Sequence, residues 1–385
     1  MRYPVAAPDL SGNELEYVTE CLSSSWISSN GRFIEEFENR VADFVGTRFA
    51  IATCNGTAAL HIALLALGLK PGDEVIVPTL TYVATANAVT YCGARPVFAD
   101  VDPRTWNLDP DSVRRLISPK TRGILPVHLY GLPCDMEPIL DAARQHGLWV
   151  VEDAAEALGA TYADRPVGSF GEVATFSFFG NKIVTTGEGG MVVTNDPELA
   201  ERLRLLRGQG MDPKRRYWHP LVGYNYRMTN IAAAIGTAQM ERIADLLAAR
   251  KRVASWYREE LADCPGVVFQ TVQPPARSAF WMVGVVLESP LGRDAVMAEL
   301  AAEGIETRPF FYPVHHFPMY GGCRSDQGCP MASDLAYRGI CLPTASYLQR
   351  KDVACIAQAF RRAVAKQPRP HRSAVRKGEV TPCPS

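Results

Sequence analysis

Apolar residues gather along this chain in short runs rich in β-branched and aromatic side chains, separated by stretches with helical spacing. The runs Phe49–Thr53, Glu74–Pro78, Pro96–Asp100, Gly123–His128, Trp149–Glu152, Ala174–Phe178 and Met191–Thr194 predict strands. Their alternation with helical patterns predicts a mostly parallel sheet covered by helices. One such helix is expected from Thr57 through Leu67, with Pro71-Gly72-Asp73 as the turn signal beyond it. From about Met228 an Ala-, Leu- and Arg-rich pattern predicts one long helix to Leu261, and a strand-like stretch follows at Trp281–Leu287. The organisation expected is a large α/β domain over residues 1–245, including an N-terminal segment, and a smaller α+β domain over 246–365. Residues 366–385 hold five basic residues and four prolines and little that could build a core, so a disordered tail is expected there.

Composition narrows the class. Of 385 residues, 47% are hydrophobic and 21% charged, the profile of a soluble protein with a sizeable core. Lys and Arg number 40 against 41 Asp and Glu, so nothing suggests a polyanion-binding surface and nucleic acid is not an expected partner. The first residues carry no apolar leader, and the longest apolar stretch, Ala58 to Leu69, is broken by His61 and too short to span a bilayer. Ten scattered cysteines fit reduced thiols, which with the missing leader gives a cytoplasmic expectation. Cys323 and Cys329 stand six apart without a His in ligand spacing, so no metal is expected.

Four features could carry chemistry. Asp153 follows Glu152 at the end of an apolar strand, where parallel sheets present ligands; its bland reading is a helix cap. Lys182 ends the run Phe176-Ser177-Phe178-Phe179-Gly180-Asn181, and burial among apolar neighbours would make its amine easy to deprotonate. A loop lysine is otherwise surface decoration. Cys54-Asn55-Gly56-Thr57 opens the apolar helix, so its unpaired N–H groups could take a phosphate, with a hydroxyl from Ser177. Tyr82 lies just past a strand end, where a flat ring could stack on a cofactor or simply join the core. Helix start, stacking ring, strand-end acid and turn lysine together suit one site for pyridoxal phosphate (PLP), whose ring nitrogen needs an anion beside it.

At these residues the chain resembles the DegT/DnrJ/StrS nucleotide-sugar aminotransferases of fold-type I over about residues 4 to 365. The matching motifs are NGTAAL (Asn55–Leu60), GDEVIVPTLTYVAT (Gly72–Thr85), VEDAAEALGA (Val151–Ala160), FSFFGNK (Phe176–Lys182) and TTGEGGM (Thr185–Met191). The resemblance implies a fold-type I PLP-dependent transferase with a seven-stranded, mostly parallel sheet and a smaller C-terminal domain. It implies Lys182 as the Schiff-base lysine, Asp153 as partner of the ring nitrogen, and Gly56, Thr57 and Ser177 at the phosphate. It also implies Asn225 reaching that phosphate from a second subunit, hence a homodimer with shared sites. Glu156 stands where most of the family has Gln, near the cofactor's ring hydroxyl. Ser25–Ser29, Arg216–Asn230 and Glu306–His315 further imply a GDP-linked 4-keto-6-deoxymannose as amino acceptor. L-glutamate is the implied donor, with pyridoxamine phosphate between the two half-reactions. The isomeric 3-keto sugar, and a PLP-dependent sugar dehydration, stand as alternatives. Dehydratases of this fold replace the lysine by histidine, which Lys182 argues against. Trp26, Phe179, Trp218, His219, Arg308 and Tyr312 are candidates for holding the nucleotide and sugar, Arg308 by a bidentate pair with the diphosphate.

Overall fold

A computed structural model of the chain describes residues 1–288 and 292–367. Five strands arise in the first stretch of the sheet domain: β1 (Phe49–Thr53), β2 (Glu74–Pro78), β3 (Arg95–Ala99), β4 (Thr121–Ile124) and β5 (Trp149–Asp153). After the short β6 (Thr161–Tyr162) and β7 (Arg165–Pro166) come β8 (Val173–Ser177) and β9 (Gly190–Thr194). The seven longer ones form one sheet in the order β1-β9-β8-β5-β4-β2-β3. β9 runs antiparallel to both its neighbours, and the remaining pairs are parallel.

The predicted strand runs are these seven. Six agree within one residue, while the fourth ends at Ile124 rather than His128. Pro126 has no amide to donate, so pairing beyond Ile124 is reduced to Leu125 N–H on the Ile76 carbonyl, Asp153 N–H on that of Pro126 and His128 N–H on that of Asp153. The sheet reads as apolar runs because helices cover both faces. Val75, Ile76 and Val77 are wholly buried, and the helix Gly56–Ala66 is buried nearly all round.

A second sheet follows in β10 (Val267–Phe269), β12 (Val283–Leu287), β13 (Arg308–Pro309) and β14 (Gly339–Leu342), ordered β10-β12-β14-β13. Between its first two strands β11 (Ala276–Arg277) turns back to pair with β6. The single long helix expected from Met228 to Leu261 is two helices, Asn230–Glu241 and Ile243–Glu260. They part at Arg242, which takes φ −112° and ψ 11° while its guanidinium pairs with Asp9 at 3.3 Å. Tertiary contact with the N-terminal segment overrides local helix propensity here. Most of the expected tail, residues 368–385, lies outside the described residues; Lys366 caps the helix Arg350–Ala365 and pairs with Glu299. Among the described residues no helix is long and apolar enough to cross a membrane.

Sheet geometry converges on one edge. β1, β2, β5 and β8 all run the same way, so their C-terminal ends, at Thr53, Pro78, Asp153 and Ser177, open on a common face. Gly190 of β9 sits between two of them, opposite Thr53 and Ser177. A Cβ there would lie 2.4 Å from the Asn55 carbonyl oxygen and 2.7 Å from Thr53 Oγ1. Gly190→Ala is therefore expected to destabilise the fold by about 1–3 kcal/mol, read as a lower denaturant midpoint with unchanged slope.

Candidate active site

The strand ends surround a cavity of about 510 Å³. Asn55 caps the helix Gly56–Ala66: its side chain accepts the Ala58 amide at 2.8 Å, and its carbonyl takes that of Ala59. The Gly56 and Thr57 amides, first in the helix, have no intrahelical acceptor and line the cavity with Ser177. A Cβ on Gly56 would stand 2.9 Å from Ser177 Cβ. Glycine is what lets the serine hydroxyl and the helix terminus meet in one anion-sized cradle.

Asp153 and Glu156 enter the same cavity from the end of β5. Asp153 Oδ2 accepts the Thr85 hydroxyl at 2.8 Å and Oδ1 accepts the Ala155 amide at 3.2 Å. Thr81 Oγ1 lies 3.1 Å behind Thr85 Oγ1. Burial raises the Asp153 carboxyl, against which the Thr85 hydroxyl and the Ala155 amide pull it back down. Its neighbour Glu152 faces the other way. That carboxylate is wholly buried, accepts the amides of Gly168, Phe170 and Gly171, and meets His128 Nε2 at 3.2 Å. Because His128 Nδ1 accepts the Cys134 amide, Nε2 must carry the proton and donate it to Glu152. One acid of the pair thus secures the framework and the other faces the cavity.

Lys182 closes the arrangement. Its Nζ lies 3.8 Å from the centroid of the Trp281 ring and 3.9 Å from Glu156 Oε1. Burial lowers the lysine, with Glu156 and Asp153 opposing, and raises Glu156 to about 7. Both groups are pushed toward their uncharged forms. Between the ordinary value of 4.5 and about 7, folded Glu156 keeps a proton that the unfolded chain has released. Its contribution to stability is complete below the unfolded value and disappears as pH rises through the folded one. In the cofactor-free protein, the melting temperature of wild type relative to Glu156→Gln is expected to fall over that window and level off above it. A flat difference would show that Glu156 does not titrate there.

Phe179, Arg308 and Tyr82 also border the cavity, and Tyr82 packs on Phe311 at 5.9 Å between ring centroids. Arg308 is half-exposed and pairs with Glu306 at 3.5 Å. Trp26, Trp218, His219 and Tyr312 are exposed and are not among the residues lining the cavity of their own chain, and neither is Asn225. Asn225 bridges to Gly208, between Tyr224 and Tyr226, whose rings stack at 5.0 Å and pack against His61. Strand alternation aims Asn225 to the side opposite those tyrosines. The segment before it is an excursion with a narrow neck. A Cβ on Gly210 would meet the Leu221 carbonyl oxygen at 2.1 Å, and one on Gly223 would meet the Gly210 amide nitrogen at 2.1 Å.

Three contributors escape sequence reasoning. Thr85 lies one helical turn from Tyr82 in the GDEVIVPTLTYVAT motif, yet nothing local marks its hydroxyl for Asp153. Trp281 and Asn181, joined by an indole N–H on the Asn181 carbonyl at 2.8 Å, are a hundred positions apart, and no spacing could pair them. Among the described residues no cluster of His, Cys, Asp and Glu is arranged to hold a metal ion.

A model of the DegT/DnrJ/EryC1/StrS aminotransferase family matches residues 8–361. GDP-perosamine synthase of Caulobacter vibrioides is 57% identical, over 93% of this chain and 97% of that protein. The enzyme of the same name from Escherichia coli O157:H7 is 48% identical, over 94% and 98%. Among solved structures, Spr1654 from Streptococcus pneumoniae in its PLP form superposes with a TM-score of 0.90 at 28% identity, covering 94% of this chain and 98% of that one.

Proposed function

Because the chain belongs to the DegT/DnrJ/EryC1/StrS aminotransferase family, we propose that it is a PLP-dependent aminotransferase forming GDP-perosamine from GDP-4-keto-6-deoxymannose, with L-glutamate as amino donor. The observation that carries the chemistry is the half-buried Lys182 amine, held on Trp281 beside Glu156 at the edge of a sheet. The nucleotide and sugar rest on the near full-length likeness to GDP-perosamine synthases.

The residues fit the cofactor. Gly56 and Thr57 amides with the Ser177 hydroxyl would hold its phosphate, Asp153 would face its ring nitrogen, and Glu156 its ring hydroxyl. When bound, PLP supplies an aldehyde that exchanges for an amine and a ring that draws electrons from the carbon losing a proton. Everything else falls to the chain. Lys182 Nζ, in its uncharged form, would take a proton from the α-carbon of the donor and deliver it to the cofactor's former aldehyde carbon, on the other side of the transferred nitrogen, and would run the same transfer in reverse for the sugar. Asp153 keeps a fixed negative charge where positive charge is needed. Tyr82 offers a flat face, while Phe179 and Arg308 at the cavity rim would meet the sugar nucleotide. Asn225, turned away from its own cavity, would complete the phosphate site of a second copy, with Trp26, Trp218, His219 and Tyr312 joining from exposed positions.

The test is incubation of purified protein with PLP, glutamate and GDP-4-keto-6-deoxymannose, with the product read by mass and NMR. An amine at C4 is the expected outcome. An amine at C3, or a deoxygenated sugar, would overturn the assignment of the acceptor or of the reaction.

A further inference from the structure

One buried cation has no acid to answer it. Arg250, in the helix Ile243–Glu260, is 3% exposed, yet among the described residues it has no ion-pair partner. Its guanidinium is spent instead on three backbone carbonyls: Nη1 donates to Trp281 at 2.7 Å and Thr344 at 2.8 Å, and Nη2 to Lys182 at 3.5 Å. Nε has no hydrogen-bond partner. Burial alone pushes this arginine down to about 10. A buried charge with no acid beside it is costly to desolvate, and its hydrogen bonds to three carbonyls offset that only in part. The three carbonyls say what the charge is for. Lys182 is the reactive amine, Trp281 carries the ring on which its Nζ rests, and Trp281 in turn donates its indole N–H to Asn181, the residue before Lys182. Thr344, which also accepts the Val283 amide on its hydroxyl, anchors the other end of the fork to the second sheet.

We propose that Arg250 is a positioning residue for Lys182: its acid-free guanidinium holds the lysine turn and the Trp281 support in one fork and sets a positive charge behind the amine. The proposal rests on Lys182 being the reactive group. The charged groups that act on that amine are Glu156 and Asp153 from the end of β5, which favour its protonated form, and Arg250 and Arg308, which oppose it. Arg308 is half-exposed and screened by Glu306, so Arg250 is the cation that solvent and salt weaken least.

Trace acetylation of the full-length, cofactor-free protein by acetic anhydride, with the Lys182 peptide quantified by mass spectrometry across neutral to alkaline pH, reads the fraction of free amine directly. Arg250→Gln is expected to displace the Lys182 profile to higher pH, with labelling at neutral pH falling about tenfold for every pH unit by which the midpoint rises. A Gln profile that superimposes on wild type overturns the inference. Arg250→Met is measured beside Gln. Failure of both neutral variants to fold would assign the arginine to the framework and also overturn it. Borohydride reduction of the PLP-loaded wild-type protein, mapped by peptide, checks Lys182 itself, so a wrong lysine and a wrong role for Arg250 give different results.

Discussion

Lys182→Ala is expected to bind PLP weakly and to lose turnover by at least about 100- to 10,000-fold, the range positioned proton transfer typically supplies. The loss follows from geometry. Nζ is the amine that rests on the Trp281 ring and faces Glu156, and no second lysine lines the cavity to replace it. The variant should still fold. Glu156, left without its cation, already leans toward the uncharged form and keeps the Tyr130 amide as donor to Oε2. Lys182→Arg sharpens the test, since a guanidinium fills similar space but holds its proton at any working pH. It is expected to be as inactive as Ala. Single-turnover measurements with each variant decide the matter: activity within tenfold of wild type would remove Lys182 from the chemistry.

Asp153→Asn comes next in size. The amide is nearly isosteric: its oxygen can still accept the Ala155 amide while its NH2 donates to the Thr85 hydroxyl, which can turn to donate to Thr81 instead, so the strand end should keep its shape while losing its charge. Two unit charges at about 4 Å interact by about 4 kcal/mol at an effective dielectric of 20, so a turnover loss of roughly 100- to 1,000-fold is expected. The melting temperature should move little. A loss smaller than tenfold would reduce Asp153 to a local cap, the bland reading its Ala155 contact also permits.

Where the chain reads plainly as sequence, the information is local. Each of the seven strands of the large sheet is a short apolar run bounded by turn residues, and each of the four cavity-lining features stands within a contiguous motif. Of the misreadings, one has a local cause and the others do not. β4 stops early because Pro126 removes one amide, a rule that sequence does contain. The long helix breaks at Arg242, whose side chain pairs with Asp9, over two hundred residues earlier. Thr85, Trp281 and Arg250 matter through partners distant along the chain, and a threonine, a tryptophan or a helix arginine has no spacing that announces such a role. Glu152 and Asp153 are the instructive pair. Adjacent acids at a strand end look alike in sequence, and only alternation across the sheet sends one to three amides and a histidine and the other to the cavity.

The pinch between Gly210 and Gly223 makes the residues between them a cassette. Main-chain bonds from Gln209 to Tyr224 and from Tyr224 to Leu206 clamp both ends, so a longer, shorter or wholly different tip could be spliced in without moving the register that presents Asn225. With Trp218 and His219 meeting the sugar as proposed, descendants of one ancestor could trade them for other side chains and change which sugar they accept while Asn225 stays where it is.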